Sequence, residues 1–224
     1  MRLSDREKLR RPTTTHHRRP LVELHRVSLT HTRLLDHLDL IVHTGEHVAL
    51  VGLSTTAATA LTHLLTGHTR PAHGHITTHT PAHVTTPQPH HTLAQAITHH
   101  TTPDHHDPDL THCLHDTGMH HLDPHTPIAD LPPALHPTLH RARSLYALAT
   151  GARLIVTTEH TTPPPTPHTA LLHLTHHPTR VRQAHRILVV DNARVTETGT
   201  HHQLLALGGT YARMYALHGL HRTP

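Results

Sequence analysis

The sequence predicts an α/β fold with a largely parallel sheet, on three observations. Short apolar runs of strand character, among them His47–Val51 and Arg153–Thr157, alternate with helical patterns such as Ala57–Leu65 and His136–Ala149. A glycine turn at Gly52 feeds one of those strands straight into a helix, the outline of a phosphate-binding loop. Near the C-terminus, Arg186–Val190 and Arg194–Glu197 read as a hairpin around Asp191-Asn192.

Taken in order, Leu21–Leu29 alternates apolar and polar residues as a strand does, and Leu38–His43 reads as a second strand. Thr44-Gly45-Glu46 makes a turn, and His47–Val51 follows as a short buried strand. The helix expected over Ala57–Leu65 is closed by Gly67 and Pro71, and Ile76–Thr78 reads as another short strand after Gly74. Thr85–Pro133 is dense in His, Pro and Thr, with helical patches at Leu93–Ile97 and Leu110–Leu114. Order returns with a helix over His136–Ala149 and strands over Arg153–Thr157 and Ala170–Leu174. After the hairpin, the chain is expected to be helical from His201.

A length of 224 residues suits one medium domain, or a core domain carrying a small inserted one. Hydrophobic residues make up 34% and there is no Trp or Phe. The core must therefore rely on Leu, Val, Ile and Ala with Tyr146, Tyr211 and Tyr215, which points to modest stability. The lone Cys113 excludes an internal disulfide and fits a reducing compartment. No apolar run approaches the roughly 18 residues needed to cross a bilayer. Met1–Asp5 lacks the apolar core of a signal peptide, so a soluble, cytoplasmic chain is expected.

The formal charge of +4 comes from arginine, because Lys8 is the only lysine. Residues 1–20 carry Arg2, Arg6, Lys8, Arg10, Arg11, Arg18 and Arg19 and read as a basic, disordered arm. Such an arm suits anionic lipid or nucleic acid, but basic runs are usually solvated tails, and no nucleic-acid partner is expected. The 36 histidines suggest metal binding, yet most come as adjacent pairs, whose side chains point apart on a helix or strand. His, Thr and Pro can all be coded by triplets of A and C, so a nucleotide bias in the gene would enrich them together. Adventitious zinc or nickel affinity follows on either reading.

The segment Gly52-Leu53-Ser54-Thr55-Thr56-Ala57-Ala58-Thr59-Ala60 carries the phosphate-loop outline with its main charge missing. Ala58 stands where G-x-x-x-x-G-K-[ST] places a lysine for the β- and γ-phosphates, while Thr59 keeps the position of the magnesium ligand.

Together with further residues, this segment resembles the nucleotide-binding domain of ABC transporters, most closely the exporter type. Val27-Ser28-Leu29, Leu38-Asp39-Leu40 and Thr44-Gly45-Glu46 look like the family's opening. Thr86-Pro87-Gln88 looks like its Q-loop, and Thr175-His176 looks like its switch histidine. The run Ala184–His201 follows its C-terminal pattern, and Gly209–Tyr215 looks like an exporter terminus. The resemblance implies a P-loop NTPase-like domain over 21–218 and a tail over 219–224. It also implies a mixed sheet with an N-terminal antiparallel β part and a shortened helical subdomain over about 89–145.

ATP and magnesium are the implied cofactors. The implied nucleotide-binding residues are His31, stacking on adenine, the loop from Gly52 to Ala60, and Gln88. Thr59 and Gln88 would hold magnesium, Glu159 would be the general base, and His176 the γ-phosphate sensor. The implied partners are a membrane-spanning transporter subunit and a second ATP-binding domain, as a homo- or heterodimer. That places the chain peripherally at the inner face of the cell membrane.

Departures from the pattern point to impaired chemistry. Thr55 and Ala57 replace glycines that would let backbone N–H groups curl around phosphate at positive φ. A β-branched residue held there costs about 1–2 kcal/mol. The absent lysine removes a contact of about 1.5–3 kcal/mol. Nucleotide affinity is therefore expected to fall by roughly a hundredfold to several thousandfold. Leu131-Pro132-Pro133-Ala134-Leu135 takes the place of the LSGGQ signature, and proline has no N–H for a partner's γ-phosphate. Thr158 replaces the magnesium-organising aspartate, and Thr161–Pro165 replaces the D-loop. Each retained residue has a plainer reading: Glu159 as an exposed loop carboxylate, Gln88 and His176 as chance survivals. The sequence thus carries two main functions, an exporter ATPase by descent and a pseudo-ATPase partner or decayed product by chemistry. A histidine-rich metal-binding protein is a third.

Overall fold

The computed structural model describes residues 19–29, 34–84, 92–98, 103–104, 106–158 and 166–220. Most of the basic arm, and the candidates His31, Gln88 and Glu159, lie outside those residues. In chain order the first elements are β1 (Pro20–Leu29), β2 (Leu35–His43), β3 (His47–Val51) and α1 (Thr55–Leu65). Next come β4 (His73–Thr78), β5 (Ala82–Val84), α2 (Leu93–Thr98), α3 (Pro108–Asp116) and α4 (His136–Ala149). The last are β6 (Leu154–Thr157), β7 (Ala170–Thr175), β8 (Arg186–Asp191), β9 (Arg194–Gly199), α5 (His201–Leu207) and α6 (Thr210–Leu220).

The mixed β architecture divides into two sheets. A three-stranded antiparallel sheet runs β2-β1-β4, and a six-stranded sheet runs β5-β6-β7-β3-β8-β9. In the second sheet every neighbouring pair is parallel except β8 with β9. All five residues of β3 are buried, as expected of a central strand covered on both faces. Val48 and Leu50 face one way, into a core shared with β1, β2, α1, β6, β7 and β8. Ala49 and Val51 face the other way, against Leu204 of α5 and Tyr211 of α6. A separate cluster holds α2, α3 and α4 together through Leu93, Ile97, Leu110, Leu139 and Tyr146. Each fully buried Leu or Val contributes about 1.5–3 kcal/mol, which offsets the lack of Phe and Trp.

The ion pair of Arg186 with Glu46 helps fasten the antiparallel sheet to the parallel one. Arg186 at the start of β8 donates from Nε to Glu46 Oε1 at 3.1 Å, and its Nη2 also reaches the Ile41 carbonyl of β2. The second Glu46 oxygen accepts from the His43 N–H at 3.0 Å, which closes the β2–β3 turn. Glu46 is only 9% exposed, so removing Arg186 would leave a nearly buried carboxylate without its cation.

Three features differ from the sequence-based expectation. Helix α1 starts at Thr55, two residues before the expected Ala57. The short β5 extends the sheet edge through a parallel pairing with β6, a signal too brief to read in sequence. The C-terminal helix is two helices, because Gly208 adopts φ +65° at the end of α5. The Glu197 carboxylate of β9 then accepts from the N–H groups of Thr210 and Tyr211, restarting the chain as α6.

The core also holds histidine. His47 and His173 lie side by side on β3 and β7 with ring centroids 6.2 Å apart, and both are buried. Burial, reinforced by the nearby His185, pushes the His47 imidazole down to about 4. The unfolded chain takes up this proton near the ordinary value of 6.5, whereas the folded chain resists it until about 4. Stability is therefore expected to be full above 6.5 and to fall by roughly 3 kcal/mol as pH drops through that window. Urea unfolding from pH 7.5 to pH 4 checks this, and His47→Leu should flatten the profile.

Candidate functional site

In a parallel α/β sheet the ligand crevice lies beyond the C-terminal ends of the strands. Here that edge is made by Thr157 of β6, Thr175 of β7, Val51 of β3 and Asp191 of β8. Val51 lies between Thr175 and Val189 in register, so the segment leaving β3 enters the middle of the edge. Gly52 makes the turn at φ +95° and donates its N–H to the Thr175 carbonyl at 3.1 Å. A Cβ at Gly52 would come within 2.2 Å of the Val190 carbonyl oxygen, so no other residue fits without moving β8.

Beyond Gly52, the expected phosphate nest is replaced by a capped helix. Ser54 is the N-cap of α1, with φ −65° and ψ 157°, and its Oγ accepts from the Ala57 N–H at 3.2 Å. The Ser54 carbonyl accepts from the Ala58 N–H at 2.9 Å. Thr55 and Ala57 both lie within this helix and neither takes positive φ, so the strain expected at Thr55 does not arise. Ala57 and Ala58 are buried in the main core. The Thr59 hydroxyl, at the magnesium position, donates back to the Thr55 carbonyl at 3.0 Å. Ser54, Thr55, Thr56 and Thr59 are exposed, and α1 presents its N-terminal end to the crevice.

The other candidates fall around this edge. His176 follows Thr175 directly, so the hydrogen bond from Gly52 brings the switch-histidine position beside the loop. Partial burial, then the charges of His218 and Arg180, hold His176 below its usual pKa, favouring the neutral imidazole. Thr158 lies one residue past β6 on the same edge. Pro132 and Pro133 lead through a short 3₁₀ turn into α4, and the Leu135 N–H there is taken by the Pro132 carbonyl at 2.9 Å. Among the described residues, no group of three His, Cys, Asp or Glu side chains is placed to hold a metal.

The groups that a phosphate loop would offer to ATP and magnesium are already engaged or differ in type. Two N–H groups that would cradle phosphate are bonded to Ser54, no lysine follows them, and threonine stands at the aspartate position. What remains for an anion is the open first turn of α1 at Thr55 and Thr56.

Sequence reading missed a cavity of about 860 Å³ where β1, β2 and the β8–β9 turn meet. Arg194 grips Asp36 there through Nε at 2.8 Å and Nη2 at 2.6 Å, and holds its carboxyl below the usual range, with His37 adding to the effect. Asn192 and Ala193 turn at φ 49° and 68° to make that approach. Asp191-Asn192 signalled the turn, but nothing in sequence linked it to Asp36.

This fold is that of a P-loop-type α/β nucleotide-binding domain, with an antiparallel sheet before the phosphate-loop strand and helices after it. More particularly, it is the fold of the ATP-binding domain of ABC exporters, and the resemblance drawn from the sequence is borne out. A bacterial Atm1-family ABC exporter with ATP bound has a TM-score of 0.69 to this chain at 19% identity, covering 93% of this chain and 43% of that one. The oligopeptide transporter ABCB9 of Mus musculus is 49% identical over 47 residues, 21% of this chain and 6% of that protein. The ATP-dependent lipid A-core flippase of Xanthomonas euvesicatoria is 43% identical over 51 residues, 23% of this chain and 9% of that protein. The chain therefore matches only a small part of these relatives' length, and no family model matches it.

Ser54→Ala is expected to cost about 1 kcal/mol of stability by removing the cap. Gly52→Ala should cost at least about 2 kcal/mol through the contact with Val190. Denaturant midpoints of the two variants against the parent check both values.

Proposed function

We propose that this chain is the nucleotide-binding component of an ABC-type exporter, one that holds ATP and magnesium weakly and does not turn ATP over. On this reading, residues 21–218 act as one domain with 89–145 as its helical part. The domain serves as a pseudo-ATPase partner for a membrane-spanning subunit and for a second ATP-binding domain, on the cytoplasmic side. The observation that carries the proposal is the capped phosphate loop: Ser54 engages the N–H groups of Ala57 and Ala58, and Ala58 is turned into the core.

Two other features support it. Pro132 and Pro133 cannot offer N–H groups to a nucleotide held by a partner, so an intact second subunit would restore neither interfacial site. No helix among the described residues is long and apolar enough to cross a membrane.

Equilibrium binding of ATP to the purified chain, with and without magnesium, tests the proposal. The expected outcome is affinity no tighter than high micromolar, little response to magnesium and no phosphate release. Submicromolar binding with turnover would overturn it. The pair Ala57→Gly with Ala58→Lys should raise ATP affinity by about ten- to a hundredfold, the value of one charge-assisted phosphate contact. Ala58→Lys alone should gain less, because alanine at 57 favours the capped helix more strongly than glycine does.

A further inference from the structure

The loop after β7 and the end of α6 meet through histidine. His177 Nδ1 lies 3.3 Å from His218 Nδ1, with the two rings nearly perpendicular at 74° and their centroids 4.8 Å apart. His176 adds a third ring, its centroid 3.9 Å from that of His177 and 6.4 Å from that of His218. The pair joins elements 41 residues apart in sequence, and neither ring belongs to the core.

Without metal the two rings share a hydrogen bond at this distance, and a metal ion would take the place of the shared proton. Two imidazole nitrogens bound to one tetrahedral zinc at about 2.0–2.1 Å lie about 3.3–3.4 Å from each other. The backbone places both residues firmly. The His177 N–H donates to Thr175 Oγ1 at 3.1 Å, and α6 is fixed at its start by Glu197 and packed through the buried Tyr211. Tyr211 also donates to the Pro178 carbonyl at 3.3 Å, tying the two halves of the pair at a second point. Arg180, whose positive charge reaches the neighbouring His176, would repel a cation, so affinity would rest on the imidazoles.

We propose that His177 and His218 form a two-histidine site for a divalent transition metal of the zinc or nickel class, completed by water. The site fastens the loop that carries His176 to the C-terminal helix. It stands whether or not nucleotide binds, and it differs from diffuse histidine affinity in having one location and one mechanical consequence.

Hydrogen exchange of the α6 amides with zinc alone as the probe reads that consequence, and the substitutions below separate it from zinc on other histidines such as His201, which also touches α6. At zinc about ten times the half-saturating concentration, α6 amides should exchange about tenfold more slowly in the parent chain. His218→Ala and His177→Ala should each abolish the effect, and the double variant should add nothing further. The metal-free exchange of α5 serves as the control that each variant folds. Zinc protection of α6 that survives either substitution, or that is absent from the parent chain, would overturn the proposal. A matching effect from magnesium would do so as well, because imidazole pairs do not select that ion.

Discussion

The structure depends on one constraint, the burial of β3 with a hydrogen-bonded neighbour on each side. His47 to Val51 have no exposed face, so β7 and β8 must lie alongside in register and layers must cover both surfaces. The turn that follows has no freedom either, because Gly52 leaves the strand against the Val190 carbonyl and bonds back to Thr175. The position of the candidate site is thus decided by packing before any phosphate chemistry enters. The same strand explains the buried His47: a central position demands a side chain without charge, and imidazole satisfies that by giving up its proton.

Downstream of Gly52 two local structures compete. A phosphate nest needs residues at positive φ with their N–H groups unengaged; a helix needs helical φ throughout and a side chain to cap its first turn. With threonine and alanine in place of glycine, the nest loses its conformational advantage, while alanine is the strongest helix former. Ser54 supplies the cap, so the helix wins and reaches back to Thr55. The departures at Thr55, Ala57 and Ala58 are therefore not independent of one another. They act together, by replacing one backbone structure with another that carries no strain of its own.

That coupling marks the limit of what sequence could reveal. The strands Leu21–Leu29 and His47–Val51 and the helix His136–Ala149 were legible because burial and periodicity are local properties of the chain. The hairpin at Asp191-Asn192 was legible from its turn residues. Motif alignment also identified which positions of the loop had changed. It did not reveal their conformation, because a motif assigns residues to places and assumes the family backbone there. The Asp36–Arg194 contact and the His177–His218 pair were invisible for a different reason: each joins residues whose proximity only the folded topology creates.

The interactions that hold the scaffold are chemically separate from those that would hold nucleotide. Glu46 with Arg186 joins the two sheets at the strand end away from the crevice, and Glu197 starts α6 on the far face. Neither uses a group that phosphate or magnesium would need. Substitutions at Ala58, Pro132 or Thr158 therefore leave these contacts intact, and the capped helix even removes a conformational cost from the loop. A domain arranged this way can lose its phosphate chemistry step by step while each step remains neutral or favourable to folding. The strand framework and the C-terminal hairpin can thus keep the family pattern while Ala58, Pro132 and Thr158 depart from it.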